Sequence, residues 1–246
     1  MTAPSRRSGA AAPRARRLRS SEAGRLYVYA LVDRKLPRLK LHGRTIEAVP
    51  VAGLYAIAQR TDQPPAISEE ALREQYDVVL ELTQRTPAIL PARFGSLVDR
   101  GELARIVTLR HAQIMAALDL VRDRAQMTVR LVRTATADDL ATPGRYVPAR
   151  ALGPGASYLV GRRAAAGYPL PDAAGRLTAA VRQLIVADKA EPGRGDVRAI
   201  LYHLIERAAS APYRRVLAAA AADDGSYSVS VTGPWPPFAF VPELLG

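Results

Sequence analysis

Cysteine is absent from this 246-residue chain. That excludes a disulfide framework, a thiol nucleophile, an iron–sulfur cluster and cysteine-ligated zinc. Histidine occurs only at positions 42, 111 and 203, with no HExxH spacing, which argues against a zinc hydrolase. No long apolar run is available for a membrane helix. The uncharged stretch from Ser226 to Pro242 carries Pro234, Pro236, Pro237 and Pro242, and proline at that density disqualifies a spanning helix. Arg6-Arg7 is followed by small residues and Pro13 rather than an apolar core, so no export signal is expected. A GxSxG elbow and a P-loop are missing too. Gly153-Pro-Gly155 lacks the third glycine of a dinucleotide fingerprint. The acidic pairs Asp138-Asp139 and Asp223-Asp224 sit where caps and turns belong, and Arg194-Gly-Asp196 reads as a turn. The reading is therefore of a non-enzymatic chain with no metal and no cofactor.

Lysine is scarce as well: arginine accounts for 32 of the 35 basic residues. The net charge of +12 is unevenly placed. Residues 1–25 hold seven arginines against Glu22 alone, a local charge of +6, so the body is only mildly basic. Residues 1–24 have almost nothing to bury and are expected to form a disordered basic tail. One reading is contact with nucleic acid or an anionic surface through phosphate neutralisation. The other is a solvated extension written by a GC-rich genome. The tail has no interleaved aromatic residues on which bases could stack, which argues against nucleic acid.

What remains is an ordinary globular pattern. Leu26-Tyr-Val-Tyr-Ala-Leu-Val32 predicts a strand buried on both faces. Asp33 to Arg44 reads as a charged connection ending in a His42-Gly43 turn. Ile46–Val51 and Leu54–Ala58 predict two strands joined near Pro50 and Gly53. Ser68 is an N-cap candidate, followed by Glu69 and Glu70 where the helix dipole favours acids. Leu72, Tyr76, Val79 and Leu82 then mark one apolar helix face as far as about Arg85. Ala88–Pro91 reads as a brief strand, with a turn at Phe94-Gly95. Asp99 with Glu102 resembles a capping box. It opens a long helix through Leu103, Ile106, Val107, Ile114, Leu118 and Val121. Met127–Val132 is expected to close this unit as another strand, with both helices on one face of a mainly antiparallel sheet. His111 is read as structural. Arg93 either binds an anion together with the Asp99 helix start or pairs with loop groups.

Residues 134–155 look like a linker, and 156–246 like a second, smaller unit. Ala156–Ala166 suggests a short helix. Ala173 to Val186 keeps helical spacing through Leu177, Val181, Leu184 and Ile185, and Glu191–Gly195 reads as a loop. Val197–Ile205 suits helix or strand. Pro212–Ala222 predicts a helix, and Tyr227, Val229 and Val231 alternate as a strand.

Three pieces together resemble one known family, the gas vesicle proteins GvpF and GvpL. They are Arg25–Val32, then Ile89-Leu90-Pro91-Ala92-Arg93-Phe94-Gly95 ahead of the capped helix, and finally Thr232-Gly233-Pro234-Trp235-Pro236-Pro237-Phe238. The resemblance covers about residues 25–241. The 24-residue tail, Ala92 in place of a frequent methionine, and the Gly167–Pro171 interruption depart from the family pattern. The resemblance implies two α+β domains. The N-terminal domain (25–133) is modified ferredoxin-like, and the C-terminal one (156–246) is smaller and carries the Pro-rich end; Val197–Ile205 becomes a strand. It further implies a cytoplasmic accessory factor in gas vesicle assembly. Its partners would be the hydrophobic shell protein and other accessory gas vesicle proteins. Leu90, Pro91, Arg93, Phe94, Gly95 and Gly233–Phe238 are its candidate interaction positions. The proline-rich segment is expected to lie extended, with Trp235 and Phe238 as anchors. Those rings either pin the C-terminus to the protein's own body or form the partner surface.

Overall fold

The computed structural model describes residues 24–134, 169–222 and 225–242. The basic tail, most of the expected linker, the Ala156–Ala166 helix and both acidic pairs lie outside the described residues.

The first sheet has the strand order β2-β3-β4-β1-β5, with β6 also pairing β1. Its strands are β1 (Leu26–Val32), β2 (Leu39–Leu41), β3 (Arg44–Val51), β4 (Leu54–Arg60), β5 (Leu90–Pro91) and β6 (Leu97–Val98). Every pairing is antiparallel. β1 is central and all seven of its residues are buried, as its unbroken apolar run predicts. β3 and β4 form the expected hairpin. β2 and β6, by contrast, arise inside segments that read as connections. Each is three residues or fewer and owes its geometry to its partner strand.

Three helices pack on this sheet: α1 (Glu69–Arg85), α2 (Arg100–Leu109) and α3 (His111–Val121). They divide between its two faces rather than sharing one. Tyr27, Tyr29, Ala30 and Val32 meet Val78, Val79 and Leu82 of α1. Leu26, Val28 and Leu31 face the other way, onto Leu103, Val107, Ile114 and Leu118 of α2 and α3. A bulge between Val28 and Ala30 shifts the alternation. The expected single long helix is two, broken at Arg110 (φ −110°, ψ 18°). The face of α1 is also rotated from the expected one: Gln75, Val78, Val79 and Leu82 are buried, while Leu72 is 47% exposed.

The second sheet runs β10-β7-β9-β8. It comprises β7 (Arg124–Arg133), β8 (Ile185–Pro192), β9 (Val197–Glu206) and β10 (Tyr227–Trp235). β7 thus joins this sheet, between β9 and β10, instead of closing the first. The helical spacing from Ala173 ends early. The helix α4 (Asp172–Ala180) gives way to one 3₁₀ turn at Arg182–Leu184, and Ile185 begins β8. β8 is an outer strand with little buried on either side, so nothing in its composition alternates. β9 resolves the ambiguity at Val197–Ile205 in favour of strand. α4 and α5 (Ser210–Ala222) cover Met127, Val129, Leu131, Ala199 and Leu201 through Leu177, Tyr213 and Leu217.

One apolar cluster joins the two sheets. Leu204 of β9 and Phe240 pack with the α2–α3 residues and the inner face of the first sheet. The α2–α3 layer therefore lies between the sheets. A polar junction reinforces it. Asp123 N–H donates to Pro87 O at 2.8 Å, and Arg207 N–H donates to Asp123 O at 3.1 Å. The Arg207 guanidinium donates to Thr86 O at 3.2 Å and Pro87 O at 3.3 Å, taking up carbonyls just past the end of α1.

Candidate functional site

The segment from Leu90 to Gly95 leaves the sheet edge and returns to it. Leu90 and Pro91 pair with Leu31 and Ala30, and Ala92 N–H donates to Tyr29 O at 2.8 Å. The chain then bows outward through Arg93, Phe94 and Gly95, and rejoins where Val28 N–H donates to Ser96 O at 2.9 Å. Gly95 turns the bow at φ +88°, a conformation that suits glycine. Two side chains fix its height. Gly95 N–H donates to the Tyr27 hydroxyl at 3.2 Å, and that hydroxyl donates to Gln75 Oε1. Gln75 in turn donates from Nε2 to Ala92 O at 3.1 Å. Phe94 meets Tyr27 edge to face at 6.4 Å between ring centroids. Burial raises the pKa of Tyr27, and it pushes Tyr29 up to about 12, so both phenols stay protonated as donors.

The second motif continues β10. Trp235 pairs with Gln126 after an irregularity that begins at Thr232. The proline-rich segment, expected to lie extended, thus carries one ladder residue, where the chain rejoins β7. Gly233 sits at φ +113°, and a Cβ there would lie 2.7 Å from Gln126 O, so the close approach requires glycine. Arg214 of α5 donates to Val231 O at 3.4 Å and to Gly233 O. Trp235 donates from Nε1 to Thr232 Oγ1 at 3.1 Å and meets Tyr76 edge to face at 5.6 Å. Pro236 and Pro237 are buried, whereas Phe238 is 40% exposed. The buried ring is Phe240, at 5% exposure. Gln126 Oε1 accepts from Ala239 N–H at 2.7 Å, and Lys189 Nζ donates to Ala239 O at 2.7 Å with its ammonium over the Phe240 ring.

Both motifs therefore end on neighbouring residues of α1. Gln75 holds the loop through Ala92, and Tyr76 holds the C-terminal segment through Trp235. Leu90 and Pro91 are buried ladder residues, whereas Arg93 and Gly95 are exposed. Arg93 is not needed to close the start of α2. Asp99 does that with its own carboxylate, accepting from Glu102 N–H at 2.8 Å. His111 is exposed at the start of α3. Tyr27 and Tyr76, read from the sequence only as apolar strand and helix-face residues, complete the arrangement together with Gln75, Lys189, Arg214 and Phe240, which were not singled out there. Gln75 carried a faint signal, as a polar residue on the apolar side of α1. Among the described residues no group of three or more His, Asp or Glu is placed to hold a metal, and no helix is long and apolar enough to cross a membrane.

The architecture defines an α+β protein of two curled antiparallel sheets, with signature segments anchored on one helix. The chain belongs to the GvpL/GvpF family: the profile described as gas vesicle synthesis protein GvpL/GvpF matches residues 25–242. The crystal structure of the gas vesicle protein GvpF from Anabaena sp. PCC7120 is similar, with a TM-score of 0.67 and 14% identity, over 89% of this chain and 99% of that one. GvpF from Microcystis aeruginosa gives 0.66 and 13%, over 88% and 98%. At these identities the likeness is one of fold. A search of curated proteins finds no match.

Proposed function

We propose that this chain is a non-enzymatic accessory factor in gas vesicle assembly. It acts in the cytoplasm, in association with the vesicles, by binding the hydrophobic shell protein and other accessory gas vesicle proteins. Family membership over 25–242 is the observation that carries this reading. The site supports it physically. Ile67 and Leu72, at 86% and 47% exposure, flank the start of α1, and Leu72 lies one turn before the Tyr76–Trp235 contact. Phe238 adds an exposed ring on the C-terminal segment. Exposed apolar groups of this kind suit a partner that must be kept from aggregating before it polymerises.

The test is co-purification of the tagged protein with co-expressed shell protein, in moderate and high salt, beside a version lacking residues 1–24. Salt-resistant capture by both versions is the expected result. Capture lost with the tail or with salt would overturn the reading. It would favour instead a basic tail acting on nucleic acid or another anionic surface.

A further inference from the structure

The two outer strands of the second sheet end differently. On β10 a side chain closes the open side: Arg214 of α5 donates to the carbonyls of Val231 and Gly233. β8 has no such cover. Gly193 N–H donates to Arg198 O at 3.0 Å, and the β8–β9 register carries the same pattern on through Glu191–Ile200 and Lys189–Tyr202. Lys189 and Glu191 therefore direct their main-chain groups to β9. Asp188, Ala190 and Pro192 turn theirs away from the sheet. Among the described residues no hydrogen bond reaches the Asp188 or Ala190 main chain from that side. Every residue from Asp188 to Pro192 is exposed.

We propose that this edge pairs antiparallel with β8 of a second copy of the chain, making one sheet continuous across a two-fold axis. Such an axis stands perpendicular to the sheet, so residues that oppose each other lie on the same face. The charges then choose the register. Pairing centred on Asp188, Lys189 or Glu191 sets that residue against its own copy, like charge on like. Pairing centred on Ala190 does not. The two alanines exchange both main-chain hydrogen bonds, and each Asp188 N–H meets Pro192 O of the other copy. Lys189 stands opposite the second copy's Glu191, and Glu191 opposite its Lys189. Both side chains have capacity left for this. Glu191 accepts from the Tyr202 hydroxyl through Oε2 at 3.1 Å, which leaves Oε1. Lys189 uses one ammonium proton on Ala239 O at 2.7 Å, which leaves two. Pro192 and the irregularity between Ile185 and Ala187 bound the pairable stretch at its two ends. Together with the alternating charges they bar indiscriminate association at this edge and leave one register open.

Sedimentation equilibrium of the full chain over a concentration series tests this. A monomer–dimer equilibrium that weakens with salt is expected. Lys189→Glu and Glu191→Lys each place like charges in both cross-pairs, and each alone should weaken dimerisation by about tenfold. Mixed in equal amounts, the two variants regain opposite charges and should form a heterodimer, which a merely structural role of either residue does not produce. Ala190→Pro removes the central outward N–H but no β8–β9 hydrogen bond, and should give a monomer with a wild-type circular dichroism spectrum. A wild-type chain that stays monomeric, a dimer that survives Ala190→Pro, or a mixture that associates no better than its two components overturns the proposal.

Discussion

At the scale of single residues, His203 shows how a polar group survives inside an apolar layer. It is wholly buried between the second sheet and its helices. Nδ1 lies 2.6 Å from the Tyr213 hydroxyl and Nε2 3.2 Å from Thr178 Oγ1, so both ring nitrogens are satisfied. Burial lowers its pKa to about 4, against an ordinary 6.5, and burial likewise raises that of Tyr213. The folded state keeps the imidazole neutral, while the unfolded chain takes up a proton below pH 6.5. Stability from this group is thus complete above pH 6.5 and declines as pH falls towards 4. The full loss is about 3 kcal/mol. Thermal melts between pH 7 and pH 4.5 should show the midpoint falling. In His203→Gln, which keeps amide hydrogen bonding without the titration, the slope above pH 5 should flatten. An unchanged slope would mean that other groups carry it.

At the scale of elements, α1 joins the two signature segments, through Gln75 on the loop and through Tyr76 on Trp235. Gln75→Leu removes the partner of the Tyr27 hydroxyl and of Ala92 O. A cost of about 1–3 kcal/mol is expected from groups left unpaired in a buried place. Amide exchange at Gly95 and Ser96 should rise with it, whereas a purely local packing defect would leave the loop's protection intact. The same helix shows what a sequence reveals. Its start at Ser68, like the start of α2 at Asp99, was legible because a cap is decided within four residues. The Gln75 contact was not, since Tyr27 lies 48 positions away. β1, β3, β4 and β10 announced themselves through apolar runs or alternation. β2, β6 and β8 did not, because outer and very short strands are specified by the neighbour they pair with. The two motifs were readable as sequence, but their meeting on α1 is a product of the fold.

Across the whole molecule, the shared cluster and the Arg207 junction tie both sheets to one helical layer. The two C-terminal rings play unequal parts in this. Phe240 fills the shared cluster, and Phe240→Ala should cost roughly 3–5 kcal/mol and lower the melting temperature in a single transition. Trp235 is only half-buried and rests on Tyr76. Trp235→Ala distinguishes the two readings of this ring. A lowered melting temperature with capture of shell protein intact supports pinning of the C-terminus. A wild-type midpoint with weakened capture makes the ring part of the partner surface.

The placement of β7 has a consequence for anyone dissecting the chain. The strand follows the first sheet directly in sequence, yet its ladder partners are β9 and β10. A fragment ending at Arg133 would carry away an inner strand of the other sheet. Met127, Val129 and Leu131 would lose their cover, with unsatisfied backbone on both edges, the condition under which chains stick to one another. The complementary fragment would hold β10 and the β8–β9 hairpin with nothing to bridge them. The two halves are interlocked by a single loaned strand, so co-expressed fragments should recover each other only if that strand can find its way home.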